Sequence, residues 1–480
     1  MKIRYENQTS ADLFDDEIEL AIDWLIKIRD NKSKGWAWVQ FIAPNEQNTA
    51  EVISAFIENS HLLKKETFSI MIESIRRWLI DPKRNAEISI DWAWVLIALQ
   101  KTKNCPELME QLTMEEVQDS IDQCVEWLIN NQNPNGGWAD IKGDLSSSTR
   151  TSLALKALHI EYRCGSHNRQ LQETIQKATK WLLSIQNSDG GWGNLSDKDI
   201  DGRYQDLINL SYADLRYQCD SNAACTGYAL LALHEDNFEK HNSIIREAAK
   251  FIVSGQNQNG GWDVFSEVGI RAGSKYTFRH FSTSWALRSM LITHSADYTD
   301  ESIIMGMNYL FHLQDKNYGG WKSSADADNY TWATCNALET VNLIKAQLAD
   351  VKARQFLKIV CDWWDLRKKD SNFSFKVGKA IFAFNSATCL LFCMVFTLMI
   401  FLFLNVGQNV ISSLLSETSV NAFKFANGIL LVLGSFVLGV PWVVFVKNVF
   451  NKEMDSWINS IGWVYGIITG FLLAYYQFML

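Results

Sequence analysis

Two kinds of apolar patterning alternate along the chain. One keeps a wet face: Gln176-Lys177-Ala178-Thr179-Lys180-Trp181-Leu182-Leu183 places apolar side chains on one side of a helix and polar ones on the other. The other is apolar nearly all round, as in Ser152-Leu153-Ala154-Leu155-Lys156-Ala157-Leu158 and Thr226-Gly227-Tyr228-Ala229-Leu230-Leu231-Ala232-Leu233. Such a helix must be buried on most sides. The amphipathic segments end in a Trp-Leu-type pair: Trp24-Leu25, Trp78-Leu79, Trp127-Leu128, Trp181-Leu182, Phe251-Ile252 and Tyr309-Leu310. Six wet-and-dry pairs predict an all-α array of two concentric rings, with the dry helices inside.

A turn joins each wet helix to its dry partner. It reads Gln132-Asn133-Pro134-Asn135-Gly136-Gly137-Trp138, then Gln186 to Trp192, then Gln256 to Trp262. A looser copy runs from Gln314 to Trp321, and a worn one ends at Gly35-Trp36. In the second unit the turn is lost and Asp81-Pro82 breaks the helix instead. A unit recurring every few dozen residues marks an array architecture. Glycine tolerates positive φ at a helix exit. The Trp folds back as a packing staple, and the Gln amide satisfies loose backbone groups at the helix end.

The Gln-x-x-x-Gly-x-Trp unit resembles the repeat of squalene and oxidosqualene cyclases, whose fold is shared with the β-subunits of protein prenyltransferases. The resemblance covers roughly residues 15–365. It implies an (α/α)6 toroid, a barrel of six helical hairpins around a central cavity, over residues 1–370. A full triterpene cyclase has two such domains, and this chain has one.

The pattern changes after residue 370. Apolar runs at about 380–404, 428–446 and 457–478 reach or approach the ~20 residues a bilayer helix needs, so residues 371–480 read as a transmembrane domain of three helices. Basic residues cluster before the first run, at Arg367, Lys368, Lys369, Lys376 and Lys379, and Lys447 and Lys452 stand between the second and third. This bias puts the toroid in the cytoplasm and the C-terminus outside a multi-pass membrane segment. The lipid bilayer is then one partner, and a protein or a second copy joined through the membrane helices is another.

Composition supports this picture. Only 5 Pro among 480 residues and an apolar fraction of 47% suit an ordered, helix-rich chain. A net charge of -9 argues against non-specific nucleic-acid binding. The 9 Cys include no Cys-x-x-Cys pair and suit a reducing compartment. Residues 1–20 are polar and acidic, unlike a cleavable signal.

Aligning the dry helices by their Ala-Leu ends brings Thr49, Thr151, Thr226, Thr283 and Thr331 into one register, with Trp92 in the second unit. In the resembled cyclases that begin by protonating an alkene or epoxide, an Asp-x-Asp-Asp-Thr motif holds this place. Its acid must keep a proton inside an apolar cavity. No intact copy is present. Asp326-Ala327-Asp328-Asn329-Tyr330-Thr331 comes nearest, with Asn329 where the donor belongs. Asp326, Asp328 and Asp91 are therefore the candidate acids, and helix N-capping is the competing use for each.

The prenyltransferase likeness would require a zinc set of Asp, Cys and His. Its His would fall just before the register Thr, where Asn48, Asp91, Arg150, Cys225, Ser282 and Tyr330 stand. His280 reads as a polar rim residue. Neither a metal nor another cofactor is expected. The aromatic residues Trp92, Trp94, Tyr228, Phe281, Trp285, Tyr330 and Trp332 are candidate ligand-binding groups, since ring faces suit a carbocation or a greasy chain in a concave pocket. Core packing is the competing use.

Three functions fit. The leading one is a membrane-anchored toroid that binds a hydrophobic or small-molecule ligand in its central cavity, as a sensor or effector without protonating chemistry. An alternative is a membrane-associated class II terpenoid cyclase acting on a linear isoprenoid. The third is a membrane-tethered protein-interaction scaffold. Two long connections, Gly193–Asn222 and Asp263–Arg279, fall on one rim as lid or binding-loop candidates.

Overall fold

Wet and dry helices alternate as the pattern predicts. The odd-numbered helices are amphipathic: α1 (Asp15–Ile28), α3 (Lys65–Ser74), α5 (Met114–Asn130), α7 (Arg169–Ser184), α9 (Asn242–Ser254) and α11 (Glu301–His312). The even-numbered ones are the dry kind: α2 (Glu46–Glu58), α4 (Ser89–Lys103), α6 (Ser148–Arg163), α8 (Ala223–His234), α10 (Ser282–Ile292) and α12 (Thr331–Leu348). Helix α7 buries one stripe that includes Leu171, Ile175, Ala178 and Leu182, whereas α8 buries every residue from Ala224 to Leu233. Helix α2 packs on α4, α4 on α6, α6 on α8, α8 on α10, α10 on α12, and α12 returns to α2. The inner ring is therefore closed.

This computed structural model describes residues 13–348, apart from 40–41, 81–87, 166–167, 201–211, 236–241, 272–273 and 298. The chain divides between Asp362 and Trp363, and only the first unit contains described residues. The three apolar runs read as membrane spans lie outside them, as does the Asp81-Pro82 break. Among the described residues no helix is long and apolar enough to cross a membrane.

The repeat's Trp residues hold five of the six hairpins together. The indole N–H of Trp36, Trp138, Trp192, Trp262 and Trp321 donates to the carbonyl of Leu25, Leu128, Leu182, Ile252 and Leu310 at the end of its own outer helix, at 2.7–2.9 Å. The same Trp donates its backbone N–H to a Thr hydroxyl in the first turn of the inner helix, at 2.8–3.2 Å. The Thr acceptors are Thr49, Thr151, Thr226, Thr283 and, in the sixth hairpin, Thr334 rather than the expected Thr331. Three residues are nearly one helical turn, so a slip of three leaves the dry pattern almost unchanged. The bond from Trp321 to Thr334 reveals the register.

The Gln side chains join one hairpin to the next. Gln132 donates to the Thr174 carbonyl on α7, and Gln256 to the Ser302 carbonyl on α11. Gln314 donates to Glu17 on α1 at 2.8 Å, closing the outer layer across the ends of the array. The first Gly of each turn is left-handed, with φ between +87 and +98 at Gly136, Gly190, Gly260 and Gly319. It also lets the next outer helix approach: a Cβ on Gly136 would lie 2.6 Å from the Lys177 carbonyl oxygen, and one on Gly319 would strike the Leu20 carbonyl. In the worn copy Lys34 takes this conformation, at φ 65.

The fold is not purely helical. The connection from Asp263 forms an antiparallel hairpin of β1 (Ser266–Arg271) and β2 (Ser274–Arg279), with Ser266 opposite Arg279. Val268 and Ile270 on one strand and Tyr276 and Phe278 on the other supply the β-branched and aromatic residues that favour strands. The other long connection contains a short helix, Tyr212–Cys219. The two meet on one rim: Tyr217 stacks on Phe265 at 5.6 Å, and Gln218 donates to the Ser266 carbonyl.

Gly319→Ala should cost about 2 kcal/mol or more, because it adds both backbone strain and a clash at ring closure. Lys34→Gly should gain about 1 kcal/mol by removing strain. Denaturant titration of both variants checks this, and equal, negligible effects would contradict the strain assigned to these turns.

Candidate functional site in the bore of the ring

Inner-helix residues two places past the anchoring Thr face the axis. Glu51 on α2 and Tyr228 on α8 both stand there. Hairpins one and four are opposite in a ring of six, yet the Glu51 charge acts on Tyr228. Glu51 also feels Asp91 on α4, Arg288 on α10 and Glu339 on α12. Only a side chain pointing inward is within range of so many helices. Glu51 is 3% exposed. One of its oxygens accepts from Gln47 Nε2 at 2.9 Å, and Oε2 has no hydrogen-bond partner among the described residues. Burial pushes the carboxyl up from 4.5 to about 8, with the Gln47 hydrogen bond opposing and Glu339 reinforcing the rise. Glu51 is therefore protonated at neutral pH.

Further along the axis lies a charged layer. Arg288 pairs with Glu339 at 2.5 Å and lies 4.6 Å over the Trp285 ring. Lys101 bridges Glu58 at 2.5 Å and Glu339 at 3.6 Å. Burial alone would raise Glu339, but Arg288, Lys101 and Lys156 outweigh it and bring the carboxyl down to about 2. Burial, reinforced by Arg288, lowers Lys156 to about 8.

At the other end, β1 is pinned to the ring. Glu267 meets Arg150 at 2.5 Å and His280 Nε2 at 2.9 Å, and Arg150 also meets Asp140 at 2.8 Å. Burial would raise Glu267, but Arg150 and His280 together hold it below its ordinary value. Burial lowers His280, so its neutral ring donates from Nε2 to Glu267. His280 is only 1% exposed, not a rim residue.

Four of the seven candidate aromatics join one chain of rings. Tyr228 stacks on Trp285 at 3.5 Å and meets His280 edge-on at 5.6 Å. His280 meets Phe278 at 4.8 Å, Phe278 meets Trp332 at 5.4 Å, and Trp332 stacks on Tyr330 at 5.5 Å. Trp94 and Phe281 are buried core residues outside that chain. Trp92 is not in the bore: it stacks on Trp127 of outer helix α5 at 5.2 Å. Its register position is the one whose Thr side chains face the outer layer in the other hairpins, so an aromatic there points outward too.

The candidate acids do not converge. Asp326 and Asp328 are exposed in the connection before α12. The Ser324 hydroxyl donates to Asp326 at 2.6 Å and holds it below its ordinary value, the reverse of what a proton donor needs. Asp91 is buried in the first turn of α4. None serves as an N-cap: α4 is preceded by Ile88, and α12 begins at Thr331, beyond both other Asp residues. Glu51, Lys156, Arg288 and Glu339 are not among the candidates that the repeat singles out. Their signal was there, as single charges inside otherwise dry helices.

Glu51 makes stability depend on pH. Between its ordinary value of 4.5 and about 8 the folded chain keeps a proton that the unfolded chain releases. Stability therefore falls with rising pH across that window. Glu51→Gln removes the effect, so the variant should gain on the wild type by about 1 kcal/mol per pH unit there. Denaturation midpoints at several pH values check it, and a pH-independent difference would show Glu51 to be ionised in the fold.

Residues 94–278 match the Prenyltransferase alpha-alpha toroid domain. The chain is similar to protostadienol synthase A of Arthroderma gypseum, 31% identical over 160 residues, which cover 33% of this chain and 19% of that protein. It is also similar to the squalene–hopene cyclase of Bradyrhizobium diazoefficiens, 25% identical over 280 residues, covering 52% of this chain and 38% of the other. The chain thus spans well under half the length of these relatives. An inactive variant of the alpha-1,6-mannanase of Salegentibacter sp. HEL1_6, in complex with alpha-1,6-mannotetrose, aligns with a TM-score of 0.50 at 10% identity, over 69% of this chain and 98% of that one. At that identity the likeness is one of fold alone. The ring is thus an alpha-alpha toroid, similar in sequence over part of its length to terpenoid cyclases.

Proposed function

We propose that this toroid binds an isoprenoid or a comparably apolar small molecule in its bore, tethered to a bilayer by the segment after residue 370, and acts as a sensor or effector without proton-initiated cyclisation. One observation carries this reading: the carboxylates nearest the cyclase motif, Asp326 and Asp328, lie exposed before α12, while Tyr228, Trp285, Trp332 and Tyr330 are joined in one chain of rings through His280 and Phe278. Relatives such as the squalene–hopene cyclase take an isoprenoid by name, and ring faces suit such a chain. The apolar runs at about 380–404, 428–446 and 457–478 support the tether, with the toroid on the cytoplasmic side. A response to ligand requires it to favour one of two states of the membrane segment or of a partner bound there.

Glu51 favours a second reading, a membrane-associated class II terpenoid cyclase. A buried carboxyl that keeps its proton beside aromatic rings is the equipment for protonating an alkene. The two readings separate on incubating the purified full chain with isoprenoids from farnesyl to squalene size, with mass spectrometry of bound and released species. The binding reading expects unchanged isoprenoid retained by the protein. Cyclic product that disappears in Glu51→Gln or Asp91→Asn would establish the enzyme. Neither retention nor product would favour the scaffold.

A further inference from the structure

Several buried polar atoms lack partners at one end of the ring. On α2 these are Glu51 Oε2 and Asn48 Oδ1, and beside them stand Thr331 Oγ1 and Trp38 Nε1, none hydrogen-bonded among the described residues. Helix α12 packs against α2, and the Thr331 N–H donates to the Trp38 carbonyl at 3.1 Å, so these groups belong to one wall. Across the ring stands Tyr228, 6% exposed, with its ring stacked on Trp285. Protein interiors satisfy about nine in ten buried polar atoms, and each unmet one costs about 1–3 kcal/mol. Unmet groups gathered on one wall of a ring are the pattern of a site that a ligand completes.

We propose that the Glu51 carboxyl and the Tyr228 hydroxyl are paired hydrogen-bond donors that seat an uncharged oxygen of the ligand, a hydroxyl or a carbonyl, at the axis of the ring, so that the bore prefers oxygenated isoprenoids to hydrocarbons of equal length. This deepens the binding function above and rests on it.

Both groups stand two residues past an anchoring Thr, at one depth, on opposite helices. Burial raises Glu51 to about 8 and raises Tyr228 well above its usual value, so each carries its proton at neutral pH. The nearby cation Arg288 is engaged by Glu339, so no charged headgroup is required. Trp285 fixes the Tyr228 ring, and the aromatic chain through His280 and Phe278 to Trp332 offers a path for the apolar tail. The charged and titratable groups that bear on Glu51 are Asp91 on α4, Tyr228 on α8, Arg288 on α10, and Cys335 and Glu339 on α12, with Gln47 bonded to it on α2 itself.

The test compares geranylgeraniol with the matching hydrocarbon lacking the hydroxyl. Binding to the full chain in detergent is followed by tryptophan fluorescence. The alcohol should bind about tenfold tighter or better. Glu51→Leu and Tyr228→Phe should each bring that ratio close to one. The wild-type ratio should also fall as pH rises through about 8, while Glu51→Gln, which retains an N–H donor, holds its ratio at every pH. Circular dichroism verifies folding of each variant, and if Glu51→Leu fails to fold, Tyr228→Phe decides. Equal binding of the two probes, or a preference that survives in both variants, overturns the donor pair while the binding function stands. Failure of both probes to bind overturns both.

Discussion

The tryptophan that closes each turn is the contact on which the architecture depends. A helix end leaves carbonyls without partners, and the indole N–H takes one of them at a site that excludes water. The same residue's backbone N–H is held by a Thr hydroxyl on the next helix. One side chain therefore fixes where the outer helix ends, how the chain reverses and where the inner helix begins. Gln132 and its counterparts carry that geometry to the neighbouring hairpin, and the bond from Gln314 to Glu17 carries it back to the start. Five of the six hairpins repeat this contact, and the inner ring closes where α12 returns to α2.

Closure has an electrostatic consequence. A charge on an inner helix has nowhere to go but the axis, where an unpaired ion is heavily penalised. Arg288 and Glu339 answer that constraint as a pair at 2.5 Å, Lys101 joins them, and Arg150 is matched by Glu267 from the inserted hairpin. Glu51 answers it differently, by keeping its proton. Burial therefore sorts the bore into a salt-linked layer and a neutral hydrogen-bonding layer, with aromatic rings beside the second.

The fold was legible from the sequence because the same solution is written several times. Trp138, Trp192 and Trp262 repeat with their Gly-Gly elbows, and each is buried as an anchor must be. What failed did so where repetition gave no leverage. Thr331 was mistaken for Thr334 because a shift of nearly one turn preserves a helix that is apolar all round. Trp92 reads as a ligand-binding candidate, with core packing as its competing use, because the pattern identifies a dry helix without saying which side chain faces the outer layer. The hairpin at Ser266–Arg279 sits in an insertion that the repeat does not constrain. The bore groups were harder still. Glu51 and Tyr228 act on each other across the ring because both point inward from opposite hairpins, which becomes visible once α12 is known to return to α2.

The surroundings of Glu51 also separate two uses of a protonated carboxyl. An acid that gives its proton away must be stabilised as an anion afterwards. Here the bearing charges include Glu339 and Asp91, both of which disfavour that anion, while the attraction of Arg288 is offset by its bond to Glu339. Gln47 supplies a single hydrogen bond to one oxygen. An acid built for turnover would have a free cation or several donors at hand for the carboxylate. A group that only donates a hydrogen bond never passes through that state, and the same dry, acidic surroundings then help by keeping the proton in place. The environment that makes Glu51 a poor supplier of protons makes it a dependable donor to a bound oxygen.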